Sequence, residues 1–305
     1  MDKSKLSCVI NFITLLFLFL PLSLQAGEEK IGTSSASFLK IGVGARAAAM
    51  GQAYCALSDD LFAIYYNPAG LANLKDRQLS YAHNLWFDEI THGFLAFAHP
   101  IKDIVLGLGI DYLTMGKAKE TTEQNPGGTG REFRIEDDLA LFLSISKRIR
   151  EDLSSGMNIK YIKQGVADET ASGFGLDLGL LWQSAPLNLG LTIQNLGEKE
   201  SNLPFNIKAG LAYKEIENTT FVLDVHLPRD NKISYHLGGE YWIRNILALR
   251  AGYNSHLLEN SLNNFGLKWL TLGFGVNLKV VQLDAAYLSY GDLGNTYRFS
   301  LLSRF

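Results

Sequence analysis

Apolar and polar residues alternate one by one along most of the chain after residue 78. In the stretch 104–112, for example, Leu106 and Leu108 alternate with Gly107 and Gly109. A period of two residues is typical of β-strands that bury or cover one face. The same alternation recurs in three further stretches: 187–194, 205–214 and 270–278. The pattern therefore predicts strands, with one apolar face and one face of small, polar or charged residues.

The alternation divides the region 78–305 into about fourteen strands. The predicted strands are 78–87, 92–100, 103–116, 133–148, 154–165, 171–184, 187–196, 203–214, 219–227, 233–243, 246–255, 263–278, 280–290 and 295–305. Single-chain bacterial outer-membrane barrels have an even number of antiparallel strands of about this length. The fold class that we predict is all-β, a transmembrane antiparallel β-barrel of about 14 strands.

The connections between these strands alternate in length. Short turns are predicted at 100–103, 149–153, 184–186, 215–218, 243–246 and 278–280. Longer polar loops are predicted between them, including 117–132, 196–202 and 254–263. Short periplasmic turns and longer outside loops are typical of outer-membrane barrels. A soluble β-sandwich is the structural alternative, but sandwich strands are usually five or six residues long.

Residues 1–26 have the pattern of a cleaved signal peptide. Lys3 and Lys5 precede the apolar run Val9–Leu20, and Ala26 ends a plausible cleavage site. An uncleaved anchor is the alternative, but the run is shorter than the roughly 20 residues of a membrane-spanning helix. We therefore expect the protein to be exported.

Residues 27–77 break the strand pattern. They contain two alanine-rich stretches, 45–49 and 53–57, and small or polar residues predominate. Short helical turns joined by tight loops are predicted. A lumen of fourteen strands is wider than its own side chains can fill, so this segment is predicted to be an N-terminal hatch, or plug. Several predicted inward positions are glycine and would leave room for it: Gly107, Gly109, Gly175, Gly179, Gly190, Gly273 and Gly275.

Charged residues also occupy predicted inward positions of the barrel. They are Asp111, Lys160, Asp177, Lys208, Asp224, Glu240, Arg250 and Asp284. They could guide a solute or hold the hatch. We favour a set of charges that compensate each other, because barrel interiors are ordinarily polar.

Composition and motifs speak against several function classes. A pI of about 6.1 is unlike the strongly basic character of nucleic-acid-binding domains. The six histidines include no spacing typical of a metal site, and no Gly-x-Ser-x-Gly sequence occurs. Gly42-x-Gly44-x-x-Ala47 is close to a dinucleotide fingerprint but lacks the required βαβ context. We predict a protein without catalytic residues, cofactor or metal.

The final predicted strand ends in an aromatic residue. Its apolar face carries Tyr297, Phe299, Leu301 and Phe305. Such a strand resembles the C-terminal signal that the barrel-assembly machinery of Gram-negative outer membranes reads. That machinery and outer-membrane lipids are therefore expected partners.

Three segments of the predicted hatch carry a family resemblance. Residues 42–54 read Gly-Val-Gly-Ala-Arg-Ala-Ala-Ala-Met-Gly-Gln-Ala-Tyr, 57–60 read Leu-Ser-Asp-Asp, and 66–72 read Tyr-Asn-Pro-Ala-Gly-Leu-Ala. Together they resemble the N-terminal signature of the PorV/PorQ family, a branch of the FadL-like outer-membrane barrels. The resemblance implies a fourteen-stranded barrel with an N-terminal hatch in the bacterial outer membrane.

The resemblance also singles out hatch residues. Asn67, Pro68 and Ala69, followed by Gly70, match the motif that the FadL-like barrels share. Proline fixes φ, and asparagine bonds nearby backbone, so the motif could be a structural turn or a gating element. Three hatch charges could bind each other, bind the wall or remain solvated: Arg46, Asp59 and Asp60.

Two functions follow from the resemblance. PorV-like members imply docking or shuttling of secreted proteins in type IX-like secretion, with cargo or secretion components as partners. FadL-like members imply transport of long-chain fatty acids or other hydrophobic molecules. A purely structural barrel or surface adhesin is the third possibility. We expect docking, because no apolar stripe is evident on the predicted lumen face.

Overall fold

The computed structural model describes residues 31–86, 90–198, 201–255, 270–291 and 294–305. The predicted signal peptide, residues 1–26, lies outside the described residues. Fourteen strands form one closed antiparallel barrel, in which each strand pairs with its neighbours along the chain and the last pairs with the first. The prediction of a barrel of about 14 strands with an N-terminal hatch is confirmed.

Among the described residues, the strands of the barrel match the predicted segments to within a few residues at most boundaries, and the predicted start of the segment 263–278 lies outside the described residues. They are β1 (Gln78–Leu85), β2 (Thr91–Ile101), β3 (Ile104–Thr114), β6 (Asp137–Arg150), β7 (Leu153–Val166), β8 (Glu169–Ser184), β9 (Leu187–Gly197), β10 (Asn206–Tyr213), β11 (Thr219–Pro228), β12 (Ser234–Ile243), β13 (Leu247–Asn254), β14 (Leu270–Asn277), β15 (Val281–Ser289) and β16 (Asn295–Arg304).

The connection between β3 and β6 differs from the prediction. It contains a hairpin of two short strands, β4 (Lys117–Lys119) and β5 (Glu132–Arg134), which form a separate two-stranded sheet. The predicted strand 133–148 therefore began too early, since β6 starts at Asp137. Three-residue strands are too short to show a period of two, which explains the error.

The two ends of the barrel differ. At the end that we call the short-turn end, β2 and β3 are joined by residues 102–103 alone. At the opposite, long-loop end, longer segments such as 115–136 and 198–205 join the strands. The β7–β8 connection is an exception, because it has only two residues at the long-loop end.

The outward face of the wall is apolar. Leu108, Leu143 and Phe274 are 56%, 54% and 53% exposed, whereas the inward residues next to them along each strand are covered. A closed barrel pairs its backbone groups between strands, and an apolar outer band is what a bilayer solvates. No helix among the described residues is long and apolar enough to cross a membrane.

The hatch fills the lumen. It contains 3₁₀ helices at Ser37–Lys40 and Pro68–Asn73 and two short α-helices, α1 (Ala45–Ala49) and α2 (Ala63–Tyr66). The alanine-rich stretch 53–57 forms turns. Phe62 and Tyr65 pack against the wall residue Phe94, with ring centroids 6.2 and 6.5 Å apart. The main apolar core of the protein therefore lies inside the barrel, between hatch and wall.

Candidate functional site: hatch, wall and mouth

Asn67 connects the hatch to itself and to the wall. It is extended, with φ −156° and ψ 102°, as the residue before a proline should be. Its Oδ1 accepts a hydrogen bond from the Ala69 N–H at 3.1 Å, which caps the following 3₁₀ helix. Its Nδ2 donates to the Cys55 carbonyl at 2.9 Å and to the Leu180 carbonyl of β8 at 3.0 Å. Both ends of this buried amide are used.

The wall approaches the Asn-Pro-Ala motif at two glycines. A Cβ added to Gly156 of β7 would lie 2.3 Å from the carbonyl carbon of Pro68. A Cβ on Gly179 of β8 would lie 2.2 Å from Asn67 Oδ1. The motif therefore rests directly on the backbone of β7 and β8. Gly70 faces the hatch instead, since its Cβ would meet the Ser58 carbonyl at 2.0 Å.

Arg46 joins the hatch charges to the opposite side of the wall. Its Nη1 donates to Asp59 at 2.6 Å and to Asp60 at 3.2 Å. Its Nε and Nη2 donate to the two carboxylate oxygens of Glu240 on β12, at 2.9 and 2.8 Å. The side chain is buried, and Tyr54 also accepts from it at 3.0 Å. The three predicted hatch charges thus form one cluster, and the cluster includes the wall.

The network continues along the inner face of the wall. Arg250 of β13 donates to Glu240 at 2.7 Å and to Asp284 of β15 at 2.7 Å. All three side chains are buried. Two arginines therefore hold four carboxylates, and the chain of contacts links α1 to three strands.

The two hatch carboxylates respond differently to this environment. Burial would raise the pKa of Asp59, but Arg46 and Lys214 outweigh it, and the pKa lies below its ordinary value. Burial raises the pKa of Asp60 above its ordinary value, because Arg46 does not compensate fully and Asp59 opposes ionisation.

Wall side chains also bind the hatch backbone. Asn158 donates to the Ile64 carbonyl at 2.7 Å, and Gln194 donates to the Tyr65 carbonyl at 2.6 Å. Ser300 accepts from the Ala45 N–H at 3.1 Å. Hatch helices of four or five residues leave many backbone groups unpaired, and these wall side chains satisfy part of them.

Most of the other inward charges have partners too. Lys160 pairs with Asp177 at 2.6 Å, and Asp111 lies 2.7 Å from His92. Asp224 accepts from the Tyr54 and Cys55 N–H groups, both at 2.8 Å. This is the arrangement expected of charges that compensate each other. Lys208 is different: its Nζ lies 5.5 Å from the ring centroids of Tyr65 and Tyr66.

A cavity of about 240 Å³ lies above the hatch, at the long-loop end. We call it the mouth cavity. Hatch residues 39–41 and Tyr65 border it on one side, and β9 to β13 border it on the other. Many of its wall side chains are polar, including Asn206, Lys208, His226, Ser234 and His236, whereas Trp86, Pro228 and Tyr290 add apolar surface. This site was not predicted from the sequence, although these polar residues alternate along three neighbouring strands.

The wall is irregular beside the mouth cavity. Two residues of β9, Gln194 and Asn195, lie opposite the single residue Asp177 of β8, and Asn195 has a φ of 59°. This is a β-bulge. An apolar pocket of about 420 Å³ lies next to it, and Asn195 and Pro228 line both this pocket and the mouth cavity.

Three of the predicted assembly residues lie on the outward face of β16, and Phe305 follows directly after the strand. Tyr297 and Phe299 are each 49% exposed, Leu301 is 38% exposed and Phe305 is 62% exposed. Phe305 also packs on Phe97 of β2, with ring centroids 6.5 Å apart. Their use as an assembly signal stays a prediction.

No cluster of three metal-ligating side chains occurs among the residues that the structure describes. The inner surface offers hydrogen-bonding groups and charges, and it presents polar side chains to the mouth.

Two family models match parts of the chain. The model of an uncharacterised protein family, UPF0164, matches residues 23–161. The model described as the TraF protein of the F plasmid transfer operon matches residues 149–259. No curated protein matches the chain.

Solved structures show the same fold. The Ralstonia pickettii toluene transporter TbuX has a TM-score of 0.64 and 14% identity, covering 87% of this chain and 98% of its own. The Pseudomonas putida toluene transporter TodX gives 0.63 and 14%, covering 87% and 99%. A Pseudomonas aeruginosa FadL homologue gives 0.55 and 13%, covering 87% and 99%. The chain is therefore a FadL-like barrel in architecture, and identity at this level shows the fold alone.

Proposed function

We propose that the protein is a plugged barrel of the bacterial outer membrane that docks or shuttles secreted proteins at its long-loop end. The resemblance to the PorV/PorQ family suggests type IX-like secretion as the setting. The outer-membrane location is supported by the apolar outer band and by the fold of the structural neighbours. No catalytic step is part of this proposal.

The observation that carries the proposal is the attachment of the hatch. Arg46 of the hatch is buried and paired with Glu240 of the wall, so withdrawing the hatch would separate these two buried charges. Breaking a buried pair is strongly destabilising, by about 3–5 kcal/mol. A lumen closed in this way favours work at the surface of the barrel over passage through it.

A FadL-like carrier of hydrophobic molecules is the second candidate. It is favoured by the bulge in β9, where the mouth cavity and the apolar outer pocket share Asn195 and Pro228. A hydrophobic molecule could leave the lumen sideways there if the hatch moved. The structural neighbours described as toluene transporters have the same fold.

A hatch locked by a disulfide separates the two candidates. Cys55 Sγ of the hatch lies 3.4 Å from Thr192 Oγ1 of β9. Thr192→Cys should therefore form a disulfide with Cys55 when the protein folds under oxidising conditions. Thr192→Ser is the matched control, since it keeps the hydroxyl and adds no thiol.

We would purify the locked and control proteins from the native outer membrane and identify bound proteins and lipids by mass spectrometry. Docking predicts that the same secreted proteins or secretion components accompany both. Loss of these proteins on locking, or recovery of a bound hydrophobic molecule without proteins, would contradict docking. Hydrophobe uptake that is lost on locking and restored by reductant would support the carrier.

A further inference from the structure

Lys208 is a buried lysine of the mouth cavity that forms no direct ion pair with any described acidic side chain. It points inward from β10, opposite Thr192 of β9 and His226 of β11. The residue is only 6% exposed, and it lines the cavity. Within the described ranges its ammonium group forms no hydrogen bond or ion pair and contacts the faces of Tyr65 and Tyr66. An ammonium group in such a place is costly unless something pairs with it.

Lys160 shows what this barrel does elsewhere. It is buried to a similar degree on the inner face of β7, and it pairs with Asp177 at 2.6 Å. The contrast shows that Lys208 lacks the direct ion pair that Lys160 has, although Asp224 and Asp177 still act on it electrostatically. Lys208 also lines the cavity, so a bound anion could supply the missing pair.

Two buried oxygen atoms beside the cavity need hydrogen-bond donors. Asn206 Oδ1 and Asp230 Oδ1 are buried and accept no hydrogen bond from any described residue. The other carboxylate oxygen of Asp230 accepts from Ser34 and Lys40. Asn206 precedes Lys208 by two positions, so the two side chains share the inner face of β10.

The cavity as a whole favours an anion of small size. Its lining includes three lysines, Lys40, Lys208 and Lys232, and one carboxylate, Asp230. Sites for drug-sized ligands usually have about 300–1,000 Å³, so a volume of about 240 Å³ suits a smaller molecule.

We propose that the mouth cavity binds a small hydroxylated carboxylate, such as a sugar acid. The carboxylate pairs with Lys208, and hydroxyl groups donate to Asn206 Oδ1 and Asp230 Oδ1. A neutral hydrocarbon would leave all three polar groups unpaired, and such sites reject ligands that lack the matching groups. The proposal is independent of whether the barrel docks proteins.

Isothermal titration calorimetry on the full mature protein in detergent tests this directly. The probes are gluconate, glucose, which has hydroxyl groups but no charge, and hexanoate, which has a carboxylate but no hydroxyl groups. We expect saturable binding of gluconate and at least tenfold weaker binding of the other two. Lys208→Met should weaken gluconate binding at least tenfold, and Asn206→Ala should weaken it less.

Lys163→Met is the matched control, because Lys163 is an exposed lysine of β7 outside the cavity. It should leave gluconate binding unchanged. If Lys208→Met does not fold, shown by loss of the compact barrel band in unheated SDS gels, Lys208→Gln takes its place. Hexanoate binding as tightly as gluconate, gluconate binding unaffected at position 208, or no binding of any probe would each overturn the proposal.

Discussion

At the scale of single residues, Arg46 connects a short helix of the hatch to the barrel wall. Arg46 lies in a helix of five residues, α1, which is too short to be stable alone. The barrel supplies what the helix lacks, because Glu240 binds the guanidinium through both carboxylate oxygens. Such bidentate pairs fix geometry as well as charge. The contact of Arg46 with Glu240 therefore helps to fix the position of the hatch, which its short helices alone would not do.

Arg46→Met should destabilise the folded protein by about 3–5 kcal/mol, since it leaves Glu240 and Asp60 buried with less compensating charge. The measurement is the temperature at which the compact band disappears in SDS gels. Arg131→Met is the control, because Arg131 pairs with Glu120 and Asp168 on an exposed hairpin. We expect no measurable change for it, and equal effects of the two substitutions would contradict this account.

The partners of Arg46 show how far the sequence could be interpreted. Asp59 and Asp60 are close to it along the chain, so a contact with them was one of the predicted alternatives. Glu240 is 194 positions away, and only the curvature of the closed wall brings it within reach. Lys208 was predicted to face inward, but its lack of a direct ion pair depends on the exact register of β9, β10 and β11. A sequence pattern contains no such information.

Glycines on the inner face act at the scale of the strand. Gly156 of β7 lets the backbone of Pro68 and Ala69 lie directly against the wall. Contacts of this kind replace side-chain packing with backbone packing, so they tolerate no added atom. Several inward glycines are thus part of the interface with the hatch: Gly107, Gly109, Gly156, Gly179, Gly190 and Gly273. Gly175 and Gly275 are not, since their nearest neighbours are Leu203 and wall side chains.

Gly156→Ala should displace the Asn-Pro-Ala motif and cost about 1–3 kcal/mol, as overpacking usually does. Protease cleavage within the hatch, in detergent-solubilised protein, reports the displacement. Gly239→Ala on β12 is the matched control, because its Cβ would meet Phe221 at an ordinary 3.8 Å. Identical protease resistance of the Gly156 variant and the wild type would show that the motif is not packed as described.

The cost of a charge on the outer face depends on where along the strand it lies. Leu108→Arg should cost about 2–4 kcal/mol, because Leu108 lies on the lipid-facing side near the middle of β3. Leu278→Arg has a similarly exposed starting residue, but it lies in a turn at the short-turn end, where the cost falls to about 0–1 kcal/mol. Yield of folded barrel in membranes measures both. Equal yields would reverse the assignment of the faces.

The alternation predicted the strands well because lipid and lumen impose opposite demands on neighbouring residues. The hairpin of β4 and β5 was missed, since it meets neither lipid nor lumen and carries no such contrast. The bulge in β9 was missed for another reason. One extra residue at Asn195 shifts the period locally, and the sequence on either side still alternates.

At the scale of the whole molecule, the protein is a closed wall around a folded core. Buried ion pairs and the packing of the hatch against the wall both contribute to the interior. The wall separates that interior from lipid, and the hatch fills the lumen along its length.

The purified protein should show no steady ion conductance in planar lipid bilayers, because the hatch occupies the lumen. Weakening the attachment with Arg46→Met should produce intermittent openings, whereas Arg131→Met should not. Single-channel current recording at neutral pH distinguishes these cases. A steady conductance of the unmodified protein would contradict the closed lumen.

The path of the hatch sets the order of events in biogenesis. Asn202 Nδ2 donates to the Thr33 carbonyl at the long-loop end, and the Phe305 N–H donates to the Arg77 carbonyl at the short-turn end. The hatch therefore runs the length of the lumen. Its last residues lead directly into β1, whose partner β16 is the most distant strand along the chain. The barrel cannot close at the β1–β16 pairing until β16 has been added. If the barrel closed first, the hatch would have to enter its lumen through one end. The barrel wall is thus expected to form around a hatch that is already in place, so that closure of the barrel traps the hatch inside.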